Sequence, residues 1–191
     1  MMKLLLGLSG AFSLAATPAT ALAQDRVADE YMVWAHEGNE AAKADFLKGL
    51  ALLHSFEYDD ARQAFLRAQE ADPAMAMAYW GEAMTYNHPL WRRQMIEEGQ
   101  QALAKLADSP AERQATAATP LEKDFLAAVD ILFTTDEATK AERDQAYADH
   151  LADMHERYPG NEEVAAFYAL SLLGAVPVGR DTESYEKGAR I

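Results

Sequence analysis

Cysteine is absent from all 191 residues. That excludes disulfides, thiolate metal centres and cysteine nucleophiles, and leaves packing alone to hold the fold. Other nucleophile chemistry is thin as well. Beyond residue 23 the only serines are Ser55, Ser109, Ser171 and Ser184, none of them in a Gly-x-Ser-x-Gly elbow. No glycine-rich phosphate loop occurs, and there are no alternating Val/Ile/Thr runs joined by Asn-Gly turns, so strand signals are missing. Positive charge is scarce: 17 Lys and Arg stand against 31 Asp and Glu, a formal charge of −14. Such a balance opposes nucleic acid and anionic membrane surfaces, which would repel it. With so many acids, adjacent carboxylates carry little information, and Asp59-Asp60 is explained by the positive start of a helix.

No apolar run is long enough to span a bilayer. Residues 1–23 instead read as a signal peptide: Lys3 supplies a positive start, Leu4 to Ala16 are mostly apolar, and Ala21-Leu22-Ala23 precedes Gln24 as a small-x-small cleavage site. A membrane anchor is the competing reading, but Ser9, Ser13, Thr17, Pro18 and Thr20 break the run well short of the roughly 20 apolar residues a spanning helix needs. The expectation is export to the periplasm or beyond, with no membrane insertion after cleavage. Cleavage removes only Lys3 among the charged residues, leaving 16 basic against 31 acidic, or −15.

What is present is helical spacing. Residues 24–40 form a weak lead-in with Val27, Tyr31 and Trp34. From Ala41 to Phe56 the chain is apolar nearly all round, as in a helix buried between neighbours. A second helix over 59–71 hides Ala61, Phe65 and Ala68 and turns Arg62, Gln63, Arg67, Gln69 and Glu70 outward. A third covers 74–87 until His88-Pro89 ends it, since the residue before proline is pushed out of the helical region. Further helices are expected near 92–107, with a Ser-Pro-Ala stretch after it, and over 120–133, 139–158, 162–174 and from Asp181 onward.

Between Gly49 and Tyr86 the pattern repeats: Gly49 and Ala83, like Leu52 and Tyr86, stand 34 positions apart, with Tyr58, Ala61, Phe65, Ala68 and Asp72-Pro73 completing the first copy. Small residues where helices must touch, flanking aromatics and a closing proline match the tetratricopeptide pattern. The expected fold is therefore all-α, a right-handed helical solenoid over residues 41–191. Ala169 lies 86 residues after Ala83 where two repeats would give 68, which implies an insertion of about 18 residues. The chain ends within a helical pattern carrying no stop signal, and so reads as a fragment.

The stretch Leu53-His54-Ser55-Phe56, Tyr58, Asp72-Pro73, Ala76-Met77-Ala78-Tyr79-Trp80-Gly81-Glu82-Ala83-Met84 and His88-Pro89-Leu90-Trp91 resembles a family of bacterial tetratricopeptide-containing proteins, many with export signals and mostly of unassigned function. Glu122-Lys123, Arg143-Asp144, Tyr147 and Phe167 to Leu172 extend the likeness over roughly 46–174. The resemblance implies a helical solenoid for protein interaction, with no established reaction, and further helices bearing additional histidines beyond this point.

In such an architecture the first helix of each repeat lines a concave face. The groove candidates are then Phe46, Leu50 and His54 from the first repeat, Met77, Trp80, Met84, Asn87 and His88 from the second, and Trp91 at its end. They suit a peptide or protein partner, and the leading reading is a binding module more than an enzyme, with no catalytic residue and no cofactor. The rival is a metal-dependent, hydrolytic protein: His54 and His88 occupy equivalent places on adjacent helices, which pack ~8–10 Å apart, but two imidazoles make only half a metal site. Trp80 and Met84 at i, i+4 also suit a core. His150 and His155, five apart, point to different faces and read as surface residues. His36 has no partner in view.

Overall fold

A computed structural model describes residues 39–134, 137–176 and 181–191. The proposed signal peptide, His36 and all but the last two residues of the lead-in lie outside the described residues. Helices account for 73% of what is described, so the fold is all-α. In chain order they are α1 (Glu40–His54), α2 (Tyr58–Ala71), α3 (Ala76–Met84), α4 (Ile96–Ala104), α5 (Pro110–Ala115), α6 (Pro120–Leu132), α7 (Lys140–Arg157), α8 (Glu162–Ala175) and α9 (Thr182–Gly188). Among the described residues no helix is long and apolar enough to cross a membrane.

Local chemistry explains the boundaries. Asn39 caps α1 by accepting from the Ala41 amide at 2.9 Å, while its own amide donates to the Ala71 carbonyl at 3.0 Å. One side chain thus closes the α1–α2 hairpin at its open end. Helices α5, α6 and α7 each begin with a reciprocal capping box: Ser109 with Glu112, Thr119 with Glu122, Thr139 with Glu142. That box, with Pro110 at the first helical position, makes a helix of the Ser-Pro-Ala stretch, where none was expected.

The core forms where α2 wedges between α1 and α3. Phe65 sits against both: a Cβ added to Gly49 would come within 2.8 Å of its ring, and one added to Gly81 within 2.3 Å. These two glycines allow the close approach. Gln69, expected to face outward, is instead buried and donates to the Ala78 carbonyl at 3.2 Å and to Glu82 at 2.7 Å. Glu82 also takes Lys105 at 2.5 Å, so a buried carboxylate joins α2, α3 and the end of α4. A buried carboxylate needs such partners, which is why an apolar-face pattern misplaces Gln69.

Helix α3 stops at Met84, earlier than expected, and a short structure absent from the sequence reading follows. Asn87–His88 (β1) pairs antiparallel with Arg93–Gln94 (β2) around a 3-10 turn, Pro89–Trp91. Pro89 cannot continue the helix, and the reversal it starts brings the two flanks into register, extended by the Met95 amide donating to the Tyr86 carbonyl at 2.9 Å. Late in the chain, α8 crosses back onto the early helices. Its Phe167 meets Trp80 of α3 at 5.3 Å and Phe125 of α6 at 5.8 Å, and Trp80 meets Phe125 at 5.4 Å, all edge to face. The three rings are buried together, in a geometry aromatic pairs favour.

Candidate functional site

Beside the ring cluster lies a partly open cavity of about 170 Å³, lined by the α1–α2 turn, the ends of α3 and α6, α7 and α8. Each wall has a local cause. The turn reverses through Phe56, whose φ of 62° is in the left-handed region. Such a conformation is strained for a side chain this large, and the Phe56 ring is held by Trp91 at 5.7 Å and Tyr58 at 6.3 Å. The other non-glycine residue with positive φ among those described is Arg92, at 52°, closing the 3-10 turn next to Trp91. Both strained positions therefore border one patch.

The structure divides the expected groove residues into three groups. Phe46, Leu50, Met77 and Trp80 are core, between 0% and 2% exposed, because Phe167 occupies the space against which Trp80 would otherwise open. His54, Met84 and Asn87 border the cavity. Trp91 stands outside it, 61% exposed, with Leu90 beside it at 46%.

The two histidines turn to different partners. His54 lies 2.8 Å from Glu163, linking α1 to α8, and its ring rests 5.2 Å from Phe167. His88 stacks on Tyr58, ring centres 3.7 Å apart and 15° from parallel, and its Nε2–H donates to the Thr85 carbonyl at 3.0 Å. Burial lowers its pKa, which keeps the stacked ring neutral. Among the described residues no group of three or more His, Asp and Glu is placed to hold a metal ion. His150 and His155 are half-buried packing groups: His150 contacts the Asp124 carbonyl at 3.0 Å across α6–α7, and the His155 ring lies 5.7 Å from Tyr168.

Sequence reasoning passed over two residues of the cavity wall, Tyr58 and Tyr147. Tyr58 reads as a turn aromatic, and Tyr147 as part of a motif. The signal lies in their chemistry: a tyrosine at a core position brings a hydroxyl that needs a partner. Asp144, also on the wall, is paired with Lys140 at 2.5 Å, and the Ser171 hydroxyl donates to the Tyr168 carbonyl at 2.7 Å. The chain matches no protein-family model, no curated protein and no solved structure.

Proposed function

We propose that the protein is a non-enzymatic binding module, a tetratricopeptide-like stack of helix pairs exported from a bacterial cytoplasm, that holds a peptide or protein partner. The observation carrying this reading is the ledge of Leu90 and Trp91: two large apolar side chains 46% and 61% exposed on a braced turn. Pro89 packs toward Gly174 of α8, and the Trp91 ring meets Phe56, Tyr58 and His88 edge-on at 5.7, 6.1 and 6.5 Å. A side chain already held in place loses little freedom on binding, and tryptophan is enriched among the residues that anchor interfaces. The stacked-repeat reading is supported by the 34-residue offset together with Phe65 seated between Gly49 and Gly81.

Peptides selected from a displayed library against the wild-type protein provide the test. Trp91→Ala is expected to weaken their binding, measured calorimetrically, by more than about 1 kcal/mol. Arg67→Ala on α2 should leave it unchanged. Equal affinity of wild type and Trp91→Ala overturns the ledge as the docking surface. Export predicts that N-terminal sequencing of protein made in a bacterial host begins at Gln24, and a retained Met1 overturns it.

A further inference from the structure

The residues lining the cavity fall into a floor and a rim. Leu53, Met84, Leu132 and Phe167 are buried and form an apolar floor. His54 and Ala166 are exposed, and Phe56, Pro89 and Leu170 are half-buried, so these stand at the mouth. Hydrocarbon left facing water gains by being covered. A volume of about 170 Å³ compares with the ~150 Å³ apolar cavity that accepts a benzene-sized guest.

The wall also says what is refused. No lysine or arginine lines the cavity. Its two ionisable groups of low or neutral pKa are engaged, His54 with Glu163 at 2.8 Å and Asp144 with Lys140 at 2.5 Å. A charged guest would lose its hydration and find no free counter-charge.

The mouth and the ledge are one surface. Pro89 lines the cavity and leads directly into Leu90 and Trp91, and Phe56 lines it while its ring meets Trp91 at 5.7 Å. Phe56 is also one of the two strained positions, and strain of that kind gathers at ligand clamps. A chain lying on the ledge can therefore lower a side chain into the cavity. A ring seated in a water-free pocket beside a tryptophan is how interfaces concentrate their binding energy.

We propose that a phenylalanine side chain of the peptide partner inserts into this cavity while the residues flanking it lie on Leu90 and Trp91. The inference rests on the peptide-binding reading and adds the chemistry of the partner, an uncharged anchor the size of a phenyl ring.

Benzene and the library-selected peptides test it on the full chain. In amide NMR titrations wild type is expected to bind benzene saturably, and Trp91→Ala should bind it equally well. Ala166→Leu adds bulk at the mouth from an exposed helix position, so its thermal melt should match wild type. It should weaken both benzene and peptide about tenfold or more. The peptides should share a phenylalanine whose change to alanine costs about tenfold or more, the worth of one buried ring. Saturating benzene should weaken the parent peptide and leave its alanine version unaffected. Leu170→Ala, which widens the same cavity, should favour a tryptophan in place of that phenylalanine.

The insertion is overturned if benzene does not bind saturably, or if neither Ala166→Leu nor Leu170→Ala alters peptide binding. Benzene binding that leaves peptide affinity unchanged also overturns it, and assigns the cavity to free small molecules. Loss of affinity in Trp91→Ala without loss in Ala166→Leu keeps the ledge and removes the insertion. The reverse pattern keeps the insertion and removes the ledge, and a library that yields no binder overturns both.

Discussion

The hairpin of α1 and α2 with α3, compared with the stretch from α5 to α7, shows two ways of holding helices together. In the first region a single ring, Phe65, fills the space that Gly49 and Gly81 leave open, with the buried Gln69–Glu82 hydrogen bond as a polar link beside it. In the second, two buried arginines do the joining. Arg113 donates to Asp130 at 2.6 and 2.9 Å and to the Ala107 carbonyl at 2.8 Å. Arg143 donates to the Leu132 carbonyl at 3.1 Å, the Ala138 carbonyl at 2.5 Å and Gln94 at 3.0 Å. The difference follows from the connections. Where helices are joined by tight turns, the backbone largely satisfies itself and shape does most of the matching. Where irregular segments run between helices, carbonyls are left over, and a guanidinium with five donors in a fixed fork can gather several of them.

The largest effect should come where the two regions meet. Trp80→Ala removes a wholly buried ring touching α6 and α8 and should cost about 3–5 kcal/mol of stability in urea unfolding. A loss under ~1 kcal/mol would show that the ring cluster does not join the regions. Next, Arg113→Ala strands the side chain of Asp130, itself 8% exposed, and should cost on the order of 3 kcal/mol. The double change Arg113→Met with Asp130→Leu should recover most of this, since an apolar pair of similar volume leaves no buried charge. Failure to recover would mean that the carbonyl of Ala107 matters more than the ion pair.

A smaller loss, about 1–3 kcal/mol, is expected for Gly81→Ala through overpacking against Phe65. Combining it with Phe65→Leu should make the two changes less than additive, because they share one contact. Strict additivity would argue against the interlock. The smallest effect is a pH dependence. Burial lowers the folded pKa of His88 below the 6.5 of the unfolded side chain, so the unfolded chain takes up a proton first. Its contribution to stability is complete above pH 6.5 and is lost as pH falls through the lower folded value. Thermal melts of His88→Gln against wild type should differ less at pH 5 than at pH 8.

Much of the helical layout is legible along the chain, and the reasons are local. The buried character of α1 follows from apolar residues on all its sides, and α6 from Phe125, Val129 and Leu132 at helical spacing. Helix α5, not among the expected ones, was legible too, in Ser109-Pro110-x-Glu112, a capping box with proline at the first helical position. Gln69 was not legible: its burial depends on Glu82 and Lys105, partners 13 and 36 positions away in the chain. The histidines of α7 were misplaced for the same reason. Periodicity says which way a side chain points from its own helix, and nothing about the neighbour that arrives there.

By itself, then, the order of residues determined an all-α chain, its main helix boundaries, and the small residue Gly49 that allows a close approach. Only the tertiary structure decided what lies over α1 and α3. Helix α8, beginning more than a hundred residues after α1, brings Phe167 onto Trp80 and Glu163 onto His54, turning an expected open groove into core with a cavity at its edge. Helix formation depends on contacts within a turn or two, which the sequence spells out. The placing of a distant helix depends on how well two finished surfaces fit, and that fit exists only once both have formed.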